Sequence, residues 1–127
     1  MSLPLDGYIQ AAQHLVMYTD LNAAGRLFGG RLMAWIDEGT AMTAMQLMKT
    51  RNIVTKKFGE VVFDAPGRLG DLVEIWCQPE REGTTSLTLD TRVLVRTVQT
   101  EKIRQICHST VVYVALDEEG RPHRWLR

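Results

Sequence analysis

The sequence lacks the features that would place it in a membrane or on nucleic acid. No stretch approaches the run of about 18 apolar residues that a membrane-spanning helix needs. The 15 basic residues balance 15 acidic ones, so no excess charge of either sign favours DNA, RNA or an anionic membrane as a partner. With 45% hydrophobic and 24% charged residues, the composition predicts an ordinary soluble globular protein.

Export signals, repeats and linkers are missing as well. Residues 1–15 contain no basic segment followed by an apolar one, so no secretory signal is predicted and we expect a cytoplasmic location. No internal repeat, low-complexity tract or linker rich in Pro, Gly or Ser divides the 127 residues. A chain of this length buries roughly two thirds of its unfolded surface, which is enough for one core. We therefore expect a single domain over residues 1–127.

Cysteine and histidine are too few and too scattered to indicate a metal site. Cys77 and Cys107 lie in strand-like stretches without C-x-x-C spacing, so we interpret them as buried, reduced thiols. The three histidines, His14, His108 and His123, show no ligand-like spacing. We expect neither a metal nor another cofactor.

A long apolar segment is the strongest pattern that is present. Residues 29–48 read GGRLMAWIDEGTAMTAMQLM and are apolar on nearly every face. An exposed helix would show a polar stripe, so the pattern predicts a helix of about five turns that is buried on most sides. An acidic pair, Asp37 and Glu38, interrupts this helix and raises the question of what a carboxylate does there.

Alternating apolar and polar residues predict strands on both sides of this helix. The predicted strands are an extended lead-in over 10–18 and four later strands over 53–63, 72–78, 84–98 and 103–116. In 84–98 the alternation is clearest, with apolar residues on one face and charged or hydroxyl residues on the other. Short turns, including PEREG at 79–83, make neighbouring strands antiparallel. The order β-α-β-β-β-β predicts an α+β fold in which a long antiparallel sheet wraps around one central helix.

Four stretches carry motifs in a fixed order. They are TDLNAAGRLFGGRLMAWIDEG (19–39), VVFDAPGRLGDLVEI (61–75), EGTTSLTL (82–89) and YVALDEEGRP (113–122). Together they resemble the hotdog-fold acyl-CoA thioesterases, most closely the bacterial single-domain acyl-CoA hydrolases. The resemblance spans most of the chain and implies one hotdog domain that hydrolyses acyl-CoA thioesters to a free carboxylic acid and CoA.

The glycine pair Gly29–Gly30 stands at the predicted start of the helix. Unpaired backbone N–H groups and the positive end of the helix dipole favour negative charge there, and glycine lets a substrate approach the backbone. Thioester hydrolysis needs donors for the carbonyl oxygen as it becomes an oxyanion. We therefore interpret the pair as a backbone oxyanion hole, as the resemblance also implies. A tight turn that packs closely on the sheet is the alternative, and it is compatible with that role.

Asp37 shares a helix face with Met33, Thr40 and Ala41, so its carboxylate sits among apolar and small groups. An unpaired charge there is costly, and such costs are typical of functional sites. The resemblance implies that Asp37 is the general base or the nucleophile. An acid that reaches solvent or caps a neighbour is the alternative, and we favour it for Glu38, which points about 100° away.

The spacing of the glycines and the acid predicts a homodimer. Seven residues separate Gly30 from Asp37, or roughly 10 Å along a helix axis. One thioester cannot contact both groups of a single copy, so we expect two composite sites across a two-fold axis. The resemblance agrees, because sites in this family lie at the dimer interface. Further assembly into a tetramer or hexamer stays open.

The remaining site residues rest on the resemblance. It implies that Asn22 orients the thioester carbonyl or the water, that Thr55 positions the water, and that Thr85 and Ser86 lie near the pantetheine or phosphates of CoA. Each has an ordinary alternative as a turn cap, a strand threonine or a surface hydroxyl. Phe28, which we include among the substrate-binding residues, stands where many relatives have histidine.

Other differences from relatives leave the acyl preference open, and several basic residues are candidates for contacts with the CoA phosphates. Thr40 replaces a residue that is often small in relatives, and TKKFGE (55–60) carries two lysines where relatives are less basic. The basic residues that can meet the CoA phosphates are Lys56, Lys57, Arg121, Arg124 and Arg127.

Two other functions fit the same fold. Hydration or dehydration of an acyl thioester needs a histidine paired with the acid near the helix, and no histidine lies in residues 28–39. A non-catalytic acyl-CoA binding module would lack the acid at position 37, which this chain has. An acyl-CoA hydrolase is therefore the prediction.

Overall fold

The elements of the structure follow one another almost as the sequence pattern predicts. A computed structural model describes residues 5–127. Its elements are β1 (Ile9–Leu15), α1 (Gly29–Met48), β2 (Ile53–Phe58), β3 (Val62–Phe63), β4 (Leu72–Glu82), β5 (Ser86–Arg96) and β6 (Ile103–Ala115), with a short 3-10 helix at Tyr18–Asp20. The expected α+β class and the bounds of the helix are confirmed.

All strands belong to one curled antiparallel sheet. Its order is β1-β4-β5-β6-β2, and β3 pairs with β6 beside β2. The helix α1 lies across the concave face and contacts β1, β2, β4, β5 and β6. The strand β6 pairs with β5 on one side and with β2 and β3 on the other, so it joins these two parts of the sheet.

Two of the predicted strands have different bounds in the structure. The stretch 53–63 is divided into β2 and β3, and between them Gly59 N–H donates to Thr110 O at 2.8 Å. A Cβ atom at Gly59 would lie 2.1 Å from Thr110 Oγ1, so a side chain at this position would require the Thr110 hydroxyl to move. The predicted turn PEREG is wrong, because β4 continues to Glu82 with a bulge between Pro79 and Arg81, next to a proline that cannot donate to the ladder.

The first predicted strand is also shorter than expected. It ends at Leu15, because Met17 N–H donates to Asp20 Oδ2 at 2.9 Å and closes the 3-10 turn that follows. The turn brings Asp20 within 3.3 Å of Arg31 Nε at the start of α1. Asp20 therefore links the end of β1 to the start of α1, through its hydrogen bond from Met17 and its ion pair with Arg31.

The core lies between the concave face of the sheet and α1. The predicted inner residues of β5 are fully buried, which confirms the faces read from the alternation: Leu87, Leu89, Val93 and Val95. From the helix, Trp35 and Ile36 enter the same core, and Trp35 stacks on His14 of β1 with ring centroids 4.4 Å apart. Burial of each such side chain contributes about 1.5–3 kcal/mol.

The helix comes close to β1 because its contact residues are small. A Cβ atom at Gly39 would lie 3.2 Å from Ala12 Cβ and 3.3 Å from Ala11 Cβ. The helix ends where Lys49 takes a left-handed conformation (φ 58°) and its N–H donates to Met45 O. No helix within residues 5–127 is long and apolar enough to cross a membrane.

Candidate active site

The carboxylate of Asp37 is attached to the sheet by two hydroxyl groups. Thr55 Oγ1 donates to Asp37 Oδ1 at 2.8 Å, and Tyr113 Oη donates to the same oxygen at 2.9 Å. Thr55 and Tyr113 are direct partners in the β2–β6 ladder, so they present their hydroxyls to the helix side by side. In the described part of the chain, Asp37 Oδ2 has no hydrogen-bond donor. The acid is half-buried, with one oxygen fixed and one open.

The sequence pattern alone did not single out Tyr113. Its side chain is 1% exposed, and its hydroxyl also lies 2.7 Å from Thr40 Oγ1. Burial, and then the contact with Asp37, raises the pKa of Tyr113 above the ordinary value of tyrosine. The signal that would have found it is its inward position in β6, because a buried tyrosine hydroxyl needs a polar partner.

The glycine pair begins α1 between two aromatic rings. A Cβ atom at Gly30 would lie 2.7 Å from Phe28 Cε2, and one at Gly29 would lie 3.4 Å from Phe63 Cζ. The first helical hydrogen bond runs from Leu32 N–H to Phe28 O at 3.1 Å, so the amides before it lie outside the helical ladder. The pair thus combines close packing with backbone donors.

A hollow of about 380 Å³ lies next to the glycine pair. It is lined by Asn22, Arg26, Leu27, Gly29, Leu32, Phe63, Asp64, Ala65, Pro66 and Gly67. Asn22 Oδ1 accepts the N–H groups of Ala24 (3.0 Å) and Arg26 (3.1 Å), which is the turn cap that the sequence left open as its alternative role. The rings of Phe28 and Phe63 are more than half exposed at 55% and 52%. This end of the molecule therefore carries both a hollow and uncovered apolar surface.

Thr85 and Ser86 lie in a different place, beside the C-terminal tail. Trp125 Nε1 donates to Ser86 O at 2.9 Å, and Trp125 N–H donates to Thr84 O at 3.1 Å. The tail also borders a hollow of about 720 Å³ near the C-terminal end of α1. Its basic lining residues are Lys49, His123, Arg124 and Arg127. This hollow lies away from the acid, whose hydroxyl partners do not line it.

The structure therefore brings some of the predicted site residues together within one copy and separates others. Asp37 and Thr55 are in contact, while Asn22 and Gly29 share the hollow at the start of the helix. Glu38 is exposed, as the alternative reading for it requires. Their roles in the reaction stay predictions.

Known proteins share this architecture and much of the sequence. The family model described as Thioesterase superfamily matches residues 24–101. The acyl-CoA thioester hydrolase YciA of Escherichia coli (strain K12) is 37% identical over 111 residues, covering 85% of this chain and 83% of that protein. The hexameric thioesterase y2039 from Yersinia pestis superposes with a TM-score of 0.87 at 29% identity, covering 94% of this chain and 96% of that one.

An acyl-CoA hydrolase from Staphylococcus aureus, solved with butyryl coenzyme A, coenzyme A and coenzyme A disulfide, is similar as well. Its TM-score is 0.85 at 30% identity, over 94% of this chain and 73% of that one. The helix packed on a curled antiparallel sheet is thus the hotdog fold that the resemblance implied.

Proposed function

The chain belongs to the thioesterase superfamily and is an acyl-CoA thioester hydrolase, and from that premise we propose that two copies of it build each active site together. One copy supplies Asp37, and the other supplies the backbone amides of Gly29 and Gly30. The observation that carries this proposal is the half-buried carboxylate of Asp37, held on one oxygen by two hydroxyl groups. The products are a free carboxylic acid and CoA.

Asp37 acts as the general base or as the nucleophile. As a base it accepts a proton from water while the water oxygen attacks the carbonyl carbon of the thioester. As a nucleophile it attacks that carbon itself, and water later cleaves the acyl-enzyme. In both routes the C–S bond breaks and CoA leaves as a thiolate. Because a thiol has a pKa of about 8.5, the departure needs no strong general acid.

The backbone amides of Gly29 and Gly30 stabilise the oxyanion that forms on the carbonyl oxygen. These amides lie at the positive end of α1, where the helix dipole favours negative charge. One donor of this kind contributes on the order of 3 kcal/mol to the transition state. The absence of a side chain on either residue leaves the approach to the amides limited only by the rings of Phe28 and Phe63.

The separation of the two groups supports a site made by two copies. Because α1 is continuous from Gly29 to Met48, Gly30 and Asp37 of one copy are roughly 10 Å apart along the axis. A thioester carbonyl needs its donors within about 3 Å, so it cannot contact both groups of the same copy. Two antiparallel helices related by a two-fold axis remove this separation.

The exposed rings at the start of the helix also support a partner copy. Phe28 and Phe63 leave more than half of their surface uncovered beside the glycine pair. Exposed apolar surface next to a site is typical of protein interfaces. The y2039 thioesterase from Yersinia pestis is described as hexameric, so a relative of this fold assembles from several copies.

Asn22, Phe28 and Thr55 complete the proposed site. Asn22 uses its carbonyl oxygen to cap the turn, so its side-chain NH₂ group is the part that donates to the thioester carbonyl or to the water. Phe28 contacts the acyl chain where it passes the glycine pair. Thr55 orients Asp37 directly and the water through it.

The C-terminal tail is the proposed location for the CoA moiety. Thr85 and Ser86 lie next to it, and Arg124 and Arg127 line its large hollow. Guanidinium groups form charge-assisted hydrogen bonds with phosphates, which CoA carries. Two of the basic residues named for CoA, Arg124 and Arg127, and the pair Thr85 and Ser86 therefore all lie beside or in the C-terminal tail, whereas Lys56 and Lys57 belong to β2.

Replacing Asp37 tests the assignment against its immediate neighbour. Asp37→Ala is expected to lower kcat for thiol release from a panel of acyl-CoAs by at least about 100-fold, because it removes the base or nucleophile. Glu38→Ala removes an exposed carboxylate one residue away, and its kcat should stay within about twofold of wild type. Equal losses in two variants that both elute as the wild-type oligomer would reject Asp37 as the acid.

A further inference from the structure

The hydroxyl of Tyr113 lies beneath the acid at the centre of a small hydrogen-bond network. Its oxygen is 2.9 Å from Asp37 Oδ1, 2.9 Å from Asp37 O and 2.7 Å from Thr40 Oγ1. Thr40 Oγ1 in turn donates to Ile36 O at 2.7 Å, one turn back along the helix. Thr40 and Tyr113 are 0% and 1% exposed, so no bulk water competes for these groups.

Counting protons in this network gives one consistent arrangement at the acid. Tyr113 and Thr40 each have one hydroxyl proton to donate. A bond to a charged carboxylate is stronger than one to a neutral oxygen, so the proton of Tyr113 goes to Asp37 Oδ1. The 2.7 Å contact between the two hydroxyl oxygens also needs a proton, so Thr40 shares its single proton between Tyr113 Oη and Ile36 O, and the tyrosine proton stays on the acid.

We propose that Tyr113, set in place by Thr40, is a positioning residue that fixes Asp37 Oδ1 from beneath and leaves Oδ2 as the oxygen that meets the water or the thioester. The proposal rests on the assignment of Asp37 made above. Two donors from different strands, Thr55 on β2 and Tyr113 on β6, meet one carboxylate oxygen. They restrict rotation of the carboxylate about its side-chain bonds, which a single donor would not do.

The position of Tyr113 suits this role better than a role as proton donor in the reaction. Its ring is buried in β6, and the carboxylate of Asp37 lies on the open side of its hydroxyl. Because burial raises the pKa of Tyr113, its hydroxyl stays protonated and keeps donating near neutral pH. The network needs the hydroxyl of Thr40, because a small residue at this position would remove the 2.7 Å contact with the tyrosine hydroxyl.

Removal of the tyrosine hydroxyl is the direct test. Tyr113→Phe keeps the ring in the core, and we expect kcat for acyl-CoA hydrolysis to fall about tenfold with KM within about twofold of wild type, because the acid loses its orientation rather than its charge. Thr40→Val removes the second hydroxyl at nearly constant volume and is expected to lower kcat in the same direction by a smaller factor. Thr40→Ser, which keeps the hydroxyl, should retain the wild-type kcat.

Thr43 provides a matched control on the next turn of the same helix. It is buried and donates to Gly39 O at 3.2 Å, just as Thr40 donates to Ile36 O, and neither Asp37 nor Tyr113 is its partner. Thr43→Val therefore loses the same kind of bond without touching the acid, and kcat should not change. A loss of kcat in Thr43→Val equal to that in Thr40→Val would overturn the proposal, because it would show a general effect of helix packing.

A wild-type kcat in both Tyr113→Phe and Thr40→Val would also overturn it. If Tyr113→Phe does not fold, Thr40→Val and its Thr43→Val control decide the outcome alone. Asp37→Ala, assayed in parallel, separates this result from a failure of the proposed function. An active Asp37→Ala rejects the acid itself, whereas an inactive Asp37→Ala with wild-type kcat in both Tyr113→Phe and Thr40→Val rejects only the positioning role.

Discussion

Cys77 and Cys107 lie on the inner face of the sheet, where their thiols have no exposed surface. Desolvation raises the pKa of both, that of Cys107 to about 12. Thiols react through the thiolate, and neither side chain can form one in the folded protein near neutral pH. The expectation of buried, reduced cysteines is confirmed, and it makes them inert packing residues rather than nucleophiles.

Alkylation measures the reactivity of these two thiols directly. At pH 8, iodoacetamide is expected to leave the native protein unmodified, while both thiols react after unfolding in guanidinium, adding two carbamidomethyl groups by intact mass spectrometry. Glutathione in the same tube serves as the control for active reagent. Modification of the native chain at the rate of glutathione would contradict the burial of these residues.

Within the elements, the close contact between α1 and β1 depends on the absence of a side chain at Gly39. Its nearest neighbours across the contact are Ala11 and Ala12, at 3.3 and 3.2 Å from the position of a Cβ atom. Larger side chains on either element would separate the helix from the sheet. Asp37, two residues before Gly39, would then move away from its hydroxyl partners on β2 and β6.

A valine at position 39 is therefore expected to destabilise the protein. Gly39→Val adds volume to a tight contact, and overpacking of this kind costs about 1–3 kcal/mol of unfolding free energy. Gln46→Val places the same β-branched residue on the exposed side of the helix, where the cost is under about 1 kcal/mol. Urea unfolding followed by circular dichroism compares the two, and a Gly39→Val variant no less stable than Gln46→Val would contradict the tight contact, because valine has a higher helix propensity than glycine.

An element can be predicted from the sequence when the residues that determine it lie close together in the chain. The apolar segment and its glycine pair lie within the helix itself, and they are enough to predict α1 at residues 29–48. The break at Gly59 is not determined locally, because the backbone contact made there is with Thr110, which lies far along the chain. The contact between Asp37 and Tyr113 joins residues 76 positions apart, so it depends on how α1 packs on β6, which no local pattern gives.

For the whole molecule, the central expectation is that neither copy has a complete site. Asp37 and Gly30 of one chain are too far apart to act on the same thioester. A variant damaged at either position should therefore be repairable by a variant damaged at the other. This property distinguishes a shared site from one that each copy completes alone.

Mixing inactive variants tests the shared site. Asp37→Ala and Gly30→Val are expected to be inactive alone, the second because its side chain enters the space next to Phe28 and the backbone donors. After joint unfolding and refolding in equal amounts, random pairing gives hybrid dimers with one intact site, and about a quarter of the wild-type activity should return. The variants refolded separately and then combined form the control, and no recovery in the mixture would reject the composite site.

The hollow beside the glycine pair and the hydroxyl supports of Asp37 have no residue in common. The supports belong to β2 and β6, while the hollow is formed by the loops around residues 22–29 and 63–67. A protein engineer can therefore keep Asn22 and Gly29 and randomise the other residues of the hollow in a combinatorial library without disturbing the support of the acid. Such libraries would let selection explore new acyl groups while Asp37 and its hydroxyl partners stay unaltered.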